Sequence, residues 1–308
     1  MSKTISSVHS SLRSLGRRLS RWLISKRIRL FFNQVNAMNE PVRPVIVSVT
    51  PQSKGISKCE PITIVSANLW HDWPLHRELN QRLETFAQLV DESGADILLL
   101  QEVARTSKLP VNEWLAERLA MFSIYTRSNG NQDAIGFEEG LAVFSRFPLG
   151  SPNLQQLSAD NVPFVRRFAL GAEVDTPFGN LMAVSVHLGF IGNRNVNQVG
   201  SLRDWVSDIA GKRPALIGGD FNVHENAPQI TEIKRDWLDT FRHVNGDADG
   251  HTHELRSPWG HVFRRQRLDY IFMQPGAHRW GIVESRHLET NGRPHSDHKA
   301  VLTKVIPL

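Results

Sequence analysis

At 308 residues, 40% of them apolar and 22% charged, the chain is long enough for one extensive core, and it is not a low-complexity or disordered protein. Its formal charge of +5 is uneven: residues 1–39 hold eight Lys and Arg and no acid, leaving −3 for the rest, which argues against a dedicated nucleic-acid binder with a broad basic surface. The one cysteine, Cys59, excludes an intramolecular disulfide and is compatible with a reducing compartment.

Residues 1–39 read as a basic amphipathic arm. Leu12, Leu15, Leu19, Trp22 and Leu23 recur at helical spacing, with Arg13, Arg17, Arg18 and Arg21 between them. Three fates fit that pattern: contact with an anionic membrane surface, an organelle-targeting segment, or docking on the chain's own domain. No uninterrupted apolar stretch is long enough to span a bilayer, so the expected location is cytoplasmic, with peripheral membrane attachment and organelle targeting left open by the arm. Residues 40–61, with Pro41, Pro44, Pro51, Gly55 and Pro61, read as a linker, and residues 62–308 as one large domain.

In chain order, that domain alternates strands with helices and hairpins. Ile62 to Val65 is a strand leading into Ser66-Ala67-Asn68. His76 to Ser93 places Leu79, Leu83, Phe86 and Val90 on one helical face, with Gly94 as its C-terminal cap. Ile97 to Leu100 runs into Gln101-Glu102, and Val111 to Leu119 reads as a second helix. Arg166 to Val174 and Asn180 to Val186 form a hairpin whose second strand ends at His187. Arg194 to Ala210 is a helix packed on a sheet. Next, Ala215-Leu216-Ile217 leads into Gly218-Gly219-Asp220-Phe221-Asn222, where the glycines are expected to turn the backbone and bring it close to a ligand. Asp269 sits inside the apolar run Leu268 to Phe272, and Ser296-Asp297-His298 precedes the last strand, Ala300 to Val305. This mixture predicts an α/β fold of two stacked mixed β-sheets flanked by helices.

Any one polar group at a strand end is ordinarily a hydrogen-bonded core residue. Six such tips, supplying Asn68, Glu102, His187, Asp220 with Asn222, Asp269 and Asp297-His298, read better as one converging site. Weaker signals surround them. His71 and Asp72 either line a pocket or belong to plain surface. His251 and His253 read as a solvated loop, for want of a third zinc ligand. Arg264, Arg265 and Arg267 either contact substrate phosphate or solvate a strand entrance, and Trp114 and Trp205 fit core-facing helix positions.

In order and spacing, Gln101-Glu102, Gly219-Asp220-Phe221-Asn222, Arg267-Leu268-Asp269-Tyr270-Ile271 and Ser296-Asp297-His298 resemble the endonuclease/exonuclease/phosphatase superfamily. Gly140 to Pro148 is similar to that family's central strand, and the likeness runs from about Ile62 to Val305. The resemblance implies a four-layer α/β sandwich, a catalytic domain over 62–308 and a metal-dependent phosphoric ester hydrolase. It further implies Mg²⁺ (or Mn²⁺) held by Glu102 with Asn68 beside it and Asp297 completing the metal's surroundings. In the implied catalytic set, Asp220 orients the attacking water, Asn222 holds phosphoryl oxygens, and His298 donates to a non-bridging oxygen with Asp269 behind it. His187 is a further donor, in a segment closer to the phosphatase and sphingomyelinase branches than to the abasic-site endonucleases.

The expected reaction is hydrolysis of a phosphate ester by direct water attack, on a small-molecule or lipid phosphate, by a monomer. The alternative is an endo- or exonuclease acting on DNA or RNA. A third class, an inactive membrane-binding module of the same fold, is disfavoured by the complete polar set.

Overall fold

The computed structural model describes residues 42–48, 60–157, 165–256, 259, 261–277, 279–290 and 292–308. The arm at 1–39 lies outside the described residues. Strands β1 (Val45–Val47), β2 (Ile62–Asn68), β3 (Ile97–Thr106), β4 (Phe122–Asn131), β5 (Phe137–Ser145), β14 (Trp280–Leu288) and β15 (Ala300–Pro307) form one sheet, in the order β1-β4-β5-β3-β2-β15-β14. A second sheet has the order β10-β13-β9-β8-β7-β6, from β6 (Leu149–Gln156), β7 (Phe168–Thr176), β8 (Gly179–His187), β9 (Ala215–Asp220), β10 (Leu238–Asp239) and β13 (Asp269–Gln274). Strands β11 (His253–Arg256) and β12 (Val262–Gln266) pair with each other as a separate ribbon. Part of the stretch read as linker is therefore structured, because β1 pairs antiparallel with β4 at the sheet edge.

Alternation along the strands builds the layers. Ile62, Ile64, Ile97, Leu99, Leu141 and Val143 point at the second sheet and meet Leu170, Ala172, Leu181, Leu216 and Ile271. Their neighbours Val65, Ala67, Leu98 and Leu100 point the other way, onto helices α1 (Leu79–Ser93) and α2 (Val111–Leu119). Val184, Val186 and Ile217 likewise pack under Val199, Leu202 and Val206 of a later helix, Gly192–Ala210. The central strands are buried on both faces, which is why they read as near-continuous apolar runs. Gly94 caps α1 in the left-handed conformation, φ 63°, as the sequence predicts. Trp114 and Trp205 are partly buried against their cores.

Gly218 and Gly219 do not turn the chain, because β9 runs through both to Asp220. A Cβ on Gly218 would come within 2.7 Å of Leu99 Cδ1 and 2.9 Å of Ser66 Cβ on the facing sheet. One on Gly219 would lie 1.9 Å from Val186 O. Gly218 lets the two sheets close on each other beside the site, and Gly219 lets β8 lie tight against β9 within its own sheet. At that closure Gln101 Nε2 donates to Ser185 Oγ at 3.1 Å, and Ser185 Oγ donates to Leu100 O at 2.8 Å, tying β3 to β8.

Arg267 is not a surface cation. Its buried guanidinium donates to Asp239 at 2.6 and 2.9 Å and to Glu225 at 3.2 Å, and Glu225 also accepts from Arg242 at 2.6 and 2.7 Å. Truncating Arg267 would leave Asp239 only Lys234 at 3.4 Å and the Arg242 backbone N–H, and is expected to destabilise the fold by less than the roughly 3–5 kcal/mol of a fully stranded buried charge. The bonds from Arg242, with Arg267 adding to them, hold Glu225 near pH 2, below the ordinary 4.5. Burial alone would raise Asp239, but Arg267 keeps it below its ordinary value. A lowered carboxylate gives stability that is complete above its unfolded pKa and is lost as pH falls through the folded one. The melting temperature is therefore expected to drop between pH 4.5 and about 2, and Glu225→Gln to flatten that drop. An unchanged profile in the variant would exclude Glu225 as a source of acid lability.

Candidate active site

Register assembles the site. His187 at the end of β8 pairs with Asp220 at the end of parallel β9, and Asp220 pairs with Asp269 at the start of antiparallel β13. Three titratable side chains thus stand on three adjacent strands, about 4.8 Å apart by sheet geometry. On the facing sheet Asn68 ends β2 opposite Gln101 of parallel β3.

Glu102 does not end its strand, as the sequence suggests; β3 continues to Thr106. The pairing of β3 with β5 shifts between Leu100 and Val103, so Glu102 sits in a β-bulge, with φ 53°. The bulge turns its carboxylate out of the ladder. Asn222 is also left-handed, with φ 52°. Non-glycine residues avoid this region, so its occurrence at two site positions marks backbone held by its surroundings.

The polar groups converge in fact as well as in sequence. Asn68 Nδ2 donates to Glu102 Oε1 at 3.2 Å and to Asp220 Oδ2 at 3.3 Å, bridging the two sheets. Its Oδ1 accepts from Trp70 N at 2.9 Å. Asn222 donates to Asp220 through its backbone at 2.8 Å and its side chain at 3.2 Å, and to Leu188 O at 3.0 Å. Both amide hydrogens of Asn222 are therefore engaged, and the residue braces Asp220 as placed. His298 Nδ1 stands 2.8 Å from Asp269 Oδ2, which assigns the ring proton to Nδ1 and points Nε2 away from the pair. Asp269 is held from behind: Thr252 Oγ1 accepts from the backbone N of Leu268 and of Asp269 at 3.0 and 3.1 Å.

Charges in the site push on one another. Burial would lower His298, but the carboxylates of Asp269 and Asp220 outweigh it and raise the imidazole well above its ordinary value. Burial raises Asp220, against the pull of His298. His187 is buried 3.5 Å from Asp220, and burial together with the Arg167 charge holds it well below ordinary histidine, so it is neutral. Burial also raises Asp297, and Glu102 adds to the rise there and at Asp220.

Further residues stand beside the site, among them His71, which the sequence leaves open between pocket and surface, and Glu139 and Arg167, which it does not single out. His71 donates its backbone N–H to Glu102 Oε2 at 3.2 Å, with its ring 3.4 Å from the same oxygen, whereas Asp72 turns away to Arg77. His253 is half-buried and packs at a tilt against His298, ring centres 4.6 Å apart, rather than lying in a solvated loop. Glu139 is a buried acid raised by burial and by Glu102, hydrogen-bonded by Asn129. The charge of Arg167 acts on both Glu139 and His187. Only the bulge, the β11–β12 register and the fold of β4 onto β5 bring these groups in, and none of the three leaves a local sequence mark.

The donor set suits a hard divalent ion. Glu102 raises the protonation of both Asp220 and Asp297, an accumulation of negative charge that such an ion would relieve. Asp269 Oδ1 is buried and has no hydrogen-bond partner among the described residues. Two groups of potential ligand atoms lie within 4.8 Å of one another: Asp220 with Asp269 and His298, and His253 with Asp297 and His298.

Two stacked mixed sheets with helices outside, and carboxylates, amides and an imidazolium converging at their ends, define a phosphoesterase-type sandwich. The chain belongs to the endonuclease/exonuclease/phosphatase family, whose model matches residues 65–298. Members of that family are hydrolases of phosphate esters and typically depend on divalent metals. A family protein from Beutenbergia cavernae has the same fold, with TM-score 0.66 and 22% identity over 80% of this chain and 72% of that one. Humanized TDP2 of D. rerio superposes with TM-score 0.64 and 15% identity, covering 81% and 99% of the two chains. A mannosyl-6-phosphatase of Bacteroides thetaiotaomicron gives 0.59 and 21%, covering 80% and 99%. Uncharacterized protein YbhP of Escherichia coli is 28% identical over 142 residues, 42% of this chain; the chain spans about half, 54%, of that relative's length.

Proposed function

We propose that the chain hydrolyses a phosphate ester of a small molecule or lipid by direct attack of water, using Mg²⁺ or Mn²⁺. The carrying observation is the Asn68 bridge between Glu102 and Asp220, beside the His298–Asp269 pair. Asp220 accepts the proton as the water oxygen bonds to phosphorus and the ester P–O bond breaks. His298, held charged by Asp269, donates from Nε2 to a phosphoryl oxygen as negative charge grows there. Neutral His187, its Nε2 3.5 Å from Asp220, offers its single N–H as a further donor. Glu102 and Asp297 would hold the ion, with Asn68 beside them, and the bound ion would supply charge neutralisation at the phosphate. Asn222 releases one amide hydrogen from Asp220 to reach a phosphoryl oxygen.

The −3 charge of residues 40–308 favours small-molecule or lipid esters over a nucleic-acid polymer. Since TDP2, seen with single-strand DNA product, and a mannosyl-6-phosphatase share the fold, the ester itself needs a direct assay. With Mg²⁺, a panel of abasic DNA, single-stranded RNA, sphingomyelin and inositol phosphates is expected to yield turnover of a non-polymeric ester, abolished by EDTA. Preferential cleavage of the nucleic acids would establish the nuclease alternative, and full activity in excess EDTA would remove the metal.

We also propose that residues 1–39 attach the chain to anionic membranes. Deleting them should spare turnover of a soluble ester and weaken vesicle binding in a salt-dependent way, each basic residue being worth roughly 1 kcal/mol near the surface. A marked fall in melting temperature on deletion, with vesicle binding unchanged, would instead assign the arm to docking on its own domain.

A further inference from the structure

Large apolar side chains stand in solvent on three segments that also carry the site. Leu75, 66% exposed, lies in the loop after Asn68 that sends His71 to Glu102. Phe190, 75% exposed, and its exposed neighbour Ile191 follow His187 by three and four residues. The β11–β12 ribbon is rooted at His253, which bridges to His298 and packs at a tilt against its ring, and carries exposed Leu255, Val262 and Phe263. Chain geometry keeps Phe190 within about 10 Å of His187. Since Gln266 pairs with His253, Phe263 stands three residues, roughly 10 Å, further along the ribbon. Single exposed apolar residues need no explanation, but of the five most exposed among the described residues, Trp259, Phe190, Phe263 and Leu75 lie on segments joined to one polar site, and Leu308 alone does not.

We infer that Leu75, Phe190, Ile191, Leu255, Val262 and Phe263 form a rim that inserts into a lipid surface, so that the site meets phosphate esters in the headgroup layer. This rests on the phosphoesterase reading and narrows its substrate to an interfacial one. The choice of occupant follows from chemistry. Four of the six side chains are aliphatic, which suits the acyl boundary but not base stacking, where planar groups are needed. Arg264 is exposed on the same ribbon strand as Val262 and Phe263, placing positive charge at the level of anionic headgroups, while Arg265 is paired with Glu254 at 2.9 Å. The eight basic residues of the acid-free arm add charge of the same sign. The rim is divided among separate tips around a polar opening, which fits a yielding surface better than the single flat patch of a protein partner.

The test is co-sedimentation of the full chain with phosphatidylcholine vesicles containing phosphatidylglycerol, without added metal. Phe190→Ser and Phe263→Ser are each expected to lower the bound-to-free ratio about tenfold, and the double variant further, with unchanged melting temperature. Phe263→Leu should retain most of the binding. Wild-type protein that fails to sediment, or a double variant that sediments equally well, would overturn the inference. So would a double variant that loses only single-stranded oligonucleotide binding, or only self-association, which would make the rim a nucleic-acid or subunit contact. Because sedimentation needs no turnover, protein that binds vesicles through the rim yet hydrolyses nothing would sink the hydrolase reading alone. Hydrolysis of soluble esters with no rim-dependent binding would sink this inference alone.

Discussion

Replacing His298 with Ala is expected to lower kcat by about 10²–10³ while leaving the melting temperature near that of the parent. The ring is a charged donor preset by Asp269 in a site that excludes most water, where such a donor is worth far more than in solution. Asp220→Asn should cost as much, since it removes the proton acceptor but keeps the side chain's shape. Asp269→Asn should be milder than His298→Ala, because the donor remains and only its orientation and charge lose support. It should also shift the pH–rate profile: without the Asp269 carboxylate the imidazole loses a proton at lower pH, so the alkaline limb moves down. Steady-state kinetics on the best ester from the panel would check all three. Near-native turnover by Asp220→Asn would remove that residue from the chemistry.

The second large effect belongs to Glu102. Glu102→Gln is expected to raise the Mg²⁺ concentration needed for half-maximal rate by at least about tenfold to a hundredfold, with partial rescue at high Mg²⁺. The physical case is the charge balance. Glu102 raises the protonation of both Asp220 and Asp297, so removing its charge relieves repulsion in the ion-free protein. Against that, Gln keeps only one of the two acceptor oxygens now receiving Asn68 Nδ2 and the His71 backbone N–H. The two changes oppose each other, and stability should move little while metal use collapses. A variant with unaltered Mg²⁺ dependence would show that the ion is held elsewhere, the Asp220–Asp269–His298 group being the next place to look.

Much of this was legible in the sequence, for reasons that differ by residue. The helices at Leu79–Ser93 and Val111–Leu119 were readable because helical periodicity and a Gly94 cap are local signals. Asn68, His187, Asp220, Asp269 and His298 stood out because each interrupts or ends an apolar run, and the fold does bring them together. Glu102 was legible as a polar group after Leu100 but not as a bulge, since a register shift depends on the partner strand. His253 was misread for the same reason: its neighbour is fixed by the pairing of the ribbon with His298, far away in sequence. Arg267 reads from sequence as a phosphate contact or a solvated strand entrance, and only the return of β10 reveals Asp239 as its partner. Gly218 and Gly219 read from sequence as a turn, whereas Gly218 serves the close approach of two sheets and Gly219 the close approach of β8 to β9.

Strand order along the first sheet also bears on how the chain can be made. β2, among the earliest strands, lies between β3 and β15, and β15 is the last in chain order. While the chain emerges from the ribosome, β2 keeps one row of backbone donors and acceptors unpaired until Ala300–Pro307 arrives. β14 waits with it, because it too pairs with β15. Asn68 and Glu102 are synthesised early, yet His298 reaches them only with that closing strand. Synthesis interrupted before Ala300 would leave a catalytically silent nascent chain with two open strand edges, a natural target for holdase chaperones and for edge-to-edge aggregation.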